Sequence, residues 1–225
     1  KCVYSKKRIC NPLVIIPIEF VMSLLSNAAS ITRYKVHGKM KSPVLETVAN
    51  GLTNNTISEI DNRISDMAVG WTSFEKPFEP DFSGSLFVYG NYFVFSLRID
   101  KKNIAAKILK KHYTIEAAKR LADSGRQYLS KTEKKMIKDH VINALSLRIP
   151  ATPNIYDLVW NYEDSSVWFF SNLKAANEEL ETLFSKSFDL SLIRMFPYTA
   201  AYVSTDLSDS QRDELQKISA TRLFK

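Results

Sequence analysis

Lys131, Lys134, Lys135 and Lys138 recur at steps of three and four residues, a spacing that sets four ammonium groups on one face of any helix running through them. Such an array can neutralise a polyanion, because each phosphate it covers releases condensed counterions. Neighbouring stretches add Lys107, Lys110, Lys111, Lys119, Arg120, Arg126 and Arg148, giving eleven candidate contacts. Most are lysine. A lysine is a flexible point charge suited to the sugar-phosphate backbone, whereas base reading favours the two-pronged guanidinium. The set therefore predicts binding to double-stranded DNA without sequence preference. A solvated helix surface would carry the same residues, which leaves a protein-interaction adaptor with no DNA role as an alternative.

A second chemistry can be read in the same region. Asp123 with Glu133, Lys134 and Lys135 forms a D…E-x-K string, which in metal-dependent nucleases supplies two carboxylates for a cation and a lysine for the reacting phosphate. The context argues against it: Glu133 stands three residues after Ser130, where a capping box explains it, and no strand supports the string. His37, His112 and His140 have no metal-ligand spacing, and no P-loop, G-x-S-x-G or G-x-G-x-x-G is found. Neither catalysis nor a cofactor is expected. Trp71, Trp160, Trp168, Phe169 and Phe170 fall on predicted strands; stacking on exposed bases is one use for them, and filling a sheet core is the commoner one.

The elements that must position these residues follow from patterning. Residues 28–36 alternate as a half-buried strand does, Ser42-Pro43 opens a helix through Asn50, and Gly51 closes it. Strands are predicted over 66–72 and over 85–99, the latter turning at Gly90-Asn91, with a loop over 77–84. Asp100 then caps a helix of about 24 residues to Ser124, roughly 36 Å long, which Gly125 stops. Ser130 and Glu133 cap a second helix to about Leu147, with Ile137, Val141, Ala144 and Leu145 on its apolar face. Beyond Pro150, strands over 155–161 and 166–171, a helix over 173–185, an apolar run over 190–196 and a short tail helix are expected. The fold class predicted is α+β: mixed or antiparallel sheets with packed helices and a projecting basic helical hairpin.

Charge and composition agree with that division. The 225 residues are 45% hydrophobic and 24% charged, with 6 Gly and 8 Pro, which excludes a disordered, collagen-like or multi-pass membrane chain. The net charge of +7 is uneven, since residues 98–148 hold fourteen basic and five acidic side chains. Residues 1–21 are expected to be an extension or arm upstream of a start at Met22, because Pro12, Pro17 and Glu19 break an otherwise signal-like run. Residues 22–100 with 148–205 form the expected sheet domain, 101–147 the hairpin and 206–225 a tail. Cys2 and Cys10 are too few to staple the fold.

The run YLSKTEKKMIKDHVINALSL (128–147) with Arg148, the strand pair IYDLVWNYEDSSVWFF (155–170), the helix LKAANEELETLF (173–184) and Gly70-Trp71 together resemble the recombination-associated protein RdgC family over roughly residues 22–202. The resemblance implies a cytoplasmic, nucleoid-associated protein that binds duplex DNA with little sequence preference, dimerises as a ring around it, and restrains the filament of a RecA-like recombinase. Some members are described as exonucleases, and a metal-dependent exonuclease is the enzymatic alternative. Family chains continue into a further domain that forms the base of the ring, while the hairpin forms its tip. The expectation here is therefore a homodimer joined through residues 101–147, an open clamp.

Overall fold

The computed structural model describes Leu24, Ser26 and residues 28–204 and 207–218. The expectations for residues 1–21 and for a start at Met22 lie outside the described residues. The elements in chain order are β1 (Thr32–His37), α1 (Val44–Asn54), β2 (Met67–Thr72), β3 (Val88–Tyr89), β4 (Tyr92–Lys101), α2 (Ala106–Ser124), α3 (Lys131–Ser146), β5 (Thr152–Asn161), β6 (Ser166–Phe169), α4 (Lys174–Phe188), β7 (Ser191–Arg194), α5 (Pro197–Ser204) and α6 (Asp209–Lys217). This is an α+β fold. One sheet runs β2-β4-β5-β6-β1-β7 with β3 paired to β4, and every strand pair is antiparallel, so the sheet takes the antiparallel form of the two expected. The only parallel contact among the described residues is the isolated bridge between Thr56 and Trp71.

β4, second in the sheet beside the edge strand β2, is buried on both faces. Phe93, Phe95, Leu97 and Ile99 enter the main core, while Ser96, Arg98 and Asp100 are buried on the other face. Core packing is aromatic: Trp71 meets Phe95 edge-on at 5.0 Å, and Trp160 meets Phe184 at 4.9 Å and Phe188 at 5.2 Å. Helices α1 and α4 supply Val48, Leu52, Leu180, Phe184 and Phe188 to that core. On the other face Ser96 donates to Asp157 Oδ1 at 2.7 Å, and Asp157 Oδ2 accepts the Leu24 N–H at 3.1 Å.

Three local expectations are corrected. Asp100 caps no helix: β4 runs on to Lys101, and Asp100 accepts from Arg98 Nε at 2.8 Å and from its terminal nitrogen at 2.7 Å. Both side chains are nearly closed to solvent, 2% and 8% exposed. The first hairpin helix therefore starts at Ala106 after an uncapped Ala105, and its 19 residues span about 28 Å. Gly51 does not close α1, which continues to Asn54; a Cβ there would lie 2.7 Å from both the Phe188 ring and the Ser187 carbonyl oxygen, so close helix packing, not chain reversal, requires the glycine. Ser42 makes no cap, the capping position being Pro43.

Candidate nucleic-acid interface

The hairpin is defined by its ends. At the close of α2, Gly125 takes φ 62°, the left-handed conformation glycine adopts without strain. At the start of α3, Ser130 Oγ accepts the Glu133 N–H at 3.2 Å, and Glu133 returns the contact by accepting the Ser130 N–H at 2.9 Å. Arg126 donates to the other Glu133 oxygen at 2.6 Å. The Ser130 backbone N–H, the Ser130 side chain and the Arg126 guanidinium together hold the Glu133 carboxyl down to about 2.

Between these ends the two helices pack on each other around Leu129, Ile137, Val141 and Leu145, flanked by Ile104, Leu109, Tyr113, Ala117, Leu121 and Ile149. None of these residues belongs to the main core. Ala144, expected in the apolar row, is half-buried beside it. The contact rows step by four on both helices, 109-113-117-121 and 137-141-145. That spacing fixes where every cation points, since successive helical residues are turned by about 100°.

All eleven predicted cations are exposed. They do not form one strip. Lys107, Lys111 and Lys119 stand two positions from core residues of α2, which turns them away from α3, and Lys131 and Lys135 stand likewise on the back of α3. Lys110, Lys134 and Lys138 are one after, or three before, a core residue and share one flank. Lys110 and Lys138 line the same concavity of about 210 Å³ with Ala106, Leu109 and Tyr113. Arg120 occupies the opposite flank, Arg126 is bound to Glu133 at the tip, and Arg148 follows α3 at the root. The four lysines of α3 keep to one side of that helix, within an arc of about 100°, but the eleven as a set divide between the backs of the two helices, one flank with three lysines and the ends of the hairpin. Three basic residues counted in the same sequence region, Arg98, Lys101 and Lys102, are on β4 or just beyond it, and Arg98 and Lys102 are buried.

The D…E-x-K string is separated by the turn between the helices: Asp123 lies in the last turn of α2 and Glu133 is committed to the cap. Among the described residues no group of three or more His, Cys, Asp or Glu side chains is placed to hold a metal ion. Of the strand aromatics, Trp71, Trp160 and Phe169 are in the core, Phe170 is half-buried and Trp168 is 42% exposed beside Arg33 of β1. Sequence reasoning missed Lys102, whose ammonium group lies at the hairpin root; a lysine just past a strand end carries no sign of burial. Among the described residues no helix is long and apolar enough to cross a membrane. No protein-family model matches the chain, and no curated protein matches it.

Proposed function

We propose that this chain binds double-stranded DNA without sequence preference through the hairpin α2–α3, and acts as a binding protein, not an enzyme. The observation that supports this reading is the charge of an arm with its own small core: eleven exposed Lys and Arg side chains against four acidic ones over residues 106–148, with Arg126 alone among the eleven held in an ion pair among the described residues. Helices carrying cations on two backs and one flank suit contact with the phosphate backbone and not with base edges. The resemblance to the RdgC family extends the proposal to a nucleoid location, to restraint of a RecA-like recombinase and to a homodimer joined through the hairpin.

Fluorescence anisotropy with two unrelated duplexes across a salt series tests it. Equal affinities are expected, with log affinity falling by about 0.9 per phosphate contacted for each decade of salt. If the shared flank faces the DNA, Lys110→Glu/Lys134→Glu/Lys138→Glu reduces the salt slope by about 2.7 on both duplexes. The triple Lys107→Glu/Lys111→Glu/Lys119→Glu asks the same of the back of α2. Absence of duplex binding at low salt, or affinity unmoved by either triple, refutes the reading. Duplex degradation with Mg or Mn that Glu133→Gln abolishes would replace it with the nuclease. Light scattering on the eluting protein reports the dimer.

A further inference from the structure

Lys102 leaves the end of β4 at the point where the chain enters the hairpin, and its side chain is buried. Its ammonium group donates to three backbone carbonyls: Ser146 at 2.6 Å, Arg63 at 2.8 Å and Asp61 at 3.0 Å. Three donors meet three acceptors, so the buried cation is fully satisfied, and one acceptor is in the last turn of α3, where the helix dipole is negative. The other two belong to the exposed loop 61–66. That loop holds the hairpin by further bonds: the Lys102 N–H donates to Asp66 O at 2.9 Å, Ser146 Oγ to Asp66 Oδ1 at 3.4 Å, and the Ala151 N–H to Asp61 Oδ1 at 2.8 Å. One short segment thus grips the leg that enters the arm and the leg that leaves it.

We propose that Lys102 is a positioning residue that clasps both legs of the hairpin to the 61–66 loop and fixes the direction in which the charged arm leaves the sheet. The arm has its own core and the sheet has another, so neither core alone sets the angle between them. A buried ammonium group that spans the junction does so because every alternative direction leaves at least one of its N–H groups, or one of the carbonyls, without a partner. The inference concerns the orientation of the arm and holds whatever the arm binds.

The test uses the full chain with Cys2→Ser and Cys10→Ser and spin labels at Tyr128→Cys, at the arm tip, and Ser85→Cys, on the sheet domain. With Lys102 present, electron–electron resonance should give one narrow distance distribution. With Lys102→Met, it should broaden at least twofold or shift by several ångströms, while a pair within the arm, Lys119→Cys and Lys131→Cys, keeps its distance. A merely structural loss would disturb both pairs together. An unchanged tip-to-sheet distribution in folded Lys102→Met overturns the proposal, as does equal broadening of the pair within the arm. Should Lys102→Met fail to fold, Lys102→Gln, whose shorter side chain has two N–H donors in place of three and cannot hold all three carbonyls, takes its place. Broadening of the tip-to-sheet distance then supports the proposal, and an unchanged distance overturns it.

Discussion

Asp100→Asn separates two roles that an aspartate at this position could have. As a helix cap, asparagine would serve as well as aspartate, and the substitution would be nearly neutral. In the structure Asp100 is instead the counter-charge of Arg98, held by two bonds of 2.8 and 2.7 Å in a site that leaves the side chains 2% and 8% exposed. Asparagine retains one acceptor oxygen but no charge, so Arg98 keeps a bond and loses its compensation. The remaining contacts, Pro77 O at 3.4 Å and the Phe78 ring at 5.2 Å, do not replace a carboxylate. Breaking a buried pair from one side costs about 3–5 kcal/mol, and the retained bond places Asp100→Asn at about 3 kcal/mol. For a chain of this size that corresponds to a fall in Tm of about 6–12 °C. Urea and thermal denaturation followed by far-ultraviolet circular dichroism read the loss. The double variant Arg98→Met/Asp100→Leu should recover most of it, because an apolar pair of similar volume leaves no charge buried. A loss below about 1 kcal/mol in Asp100→Asn, or a double variant as unstable as the single, refutes the argument.

Two further outcomes follow from the same structure. Gly51→Ala, which helix propensity alone would reward by about 1 kcal/mol, should instead lose a net 1–2 kcal/mol, roughly, in urea denaturation, because its methyl group meets the Phe188 ring and a backbone oxygen; a gain in stability would contradict the packing. Glu133 should titrate near 2 in the folded chain, against 4.5 ordinarily, so the support it lends the start of α3 is complete above about pH 4.5 and lost as pH falls toward 2. Carboxyl carbon NMR shifts follow that titration, Arg126→Gln should move the midpoint upward, and a midpoint near 4 in the parent would remove the basis for the cap.

Signals carried by neighbouring residues were readable in the sequence. The Gly90-Asn91 turn, the Gly125 stop and the Ser130/Glu133 box are local arrangements whose energies depend little on the rest of the fold, and each lies where its pattern placed it. Asp100 and Gly51 misled because the same residue types answer to distant partners. An aspartate before a helical stretch looks like a cap until Arg98, two residues back on the same strand face, supplies its counter-charge. A glycine at a helix end looks like a stop until Phe188 of α4 is packed against it. β7 is short enough that its apolar run had no period to read, and α5 begins at Pro197, a first-turn proline that could have marked it. Exposure of the eleven cations was legible, whereas their distribution around the arm was not. It is set by the four-residue rows on both helices, and the row on α2 contains Ala117 and Tyr113, which no hydrophobic pattern singles out.

The three tryptophans are all on strands of the sheet: Trp71 and Trp160 are enclosed, and Trp168 is open to water. The arm has none. Indole emission is consequently deaf to whatever the arm touches or however it swings, and reports only on the sheet domain. Acrylamide should quench one of the three emitters readily and spare the other two until that domain melts. The molecule thus keeps its optical gauge of integrity apart from its cationic limb, so loss of ligand binding at constant emission can be assigned to the limb without further labelling.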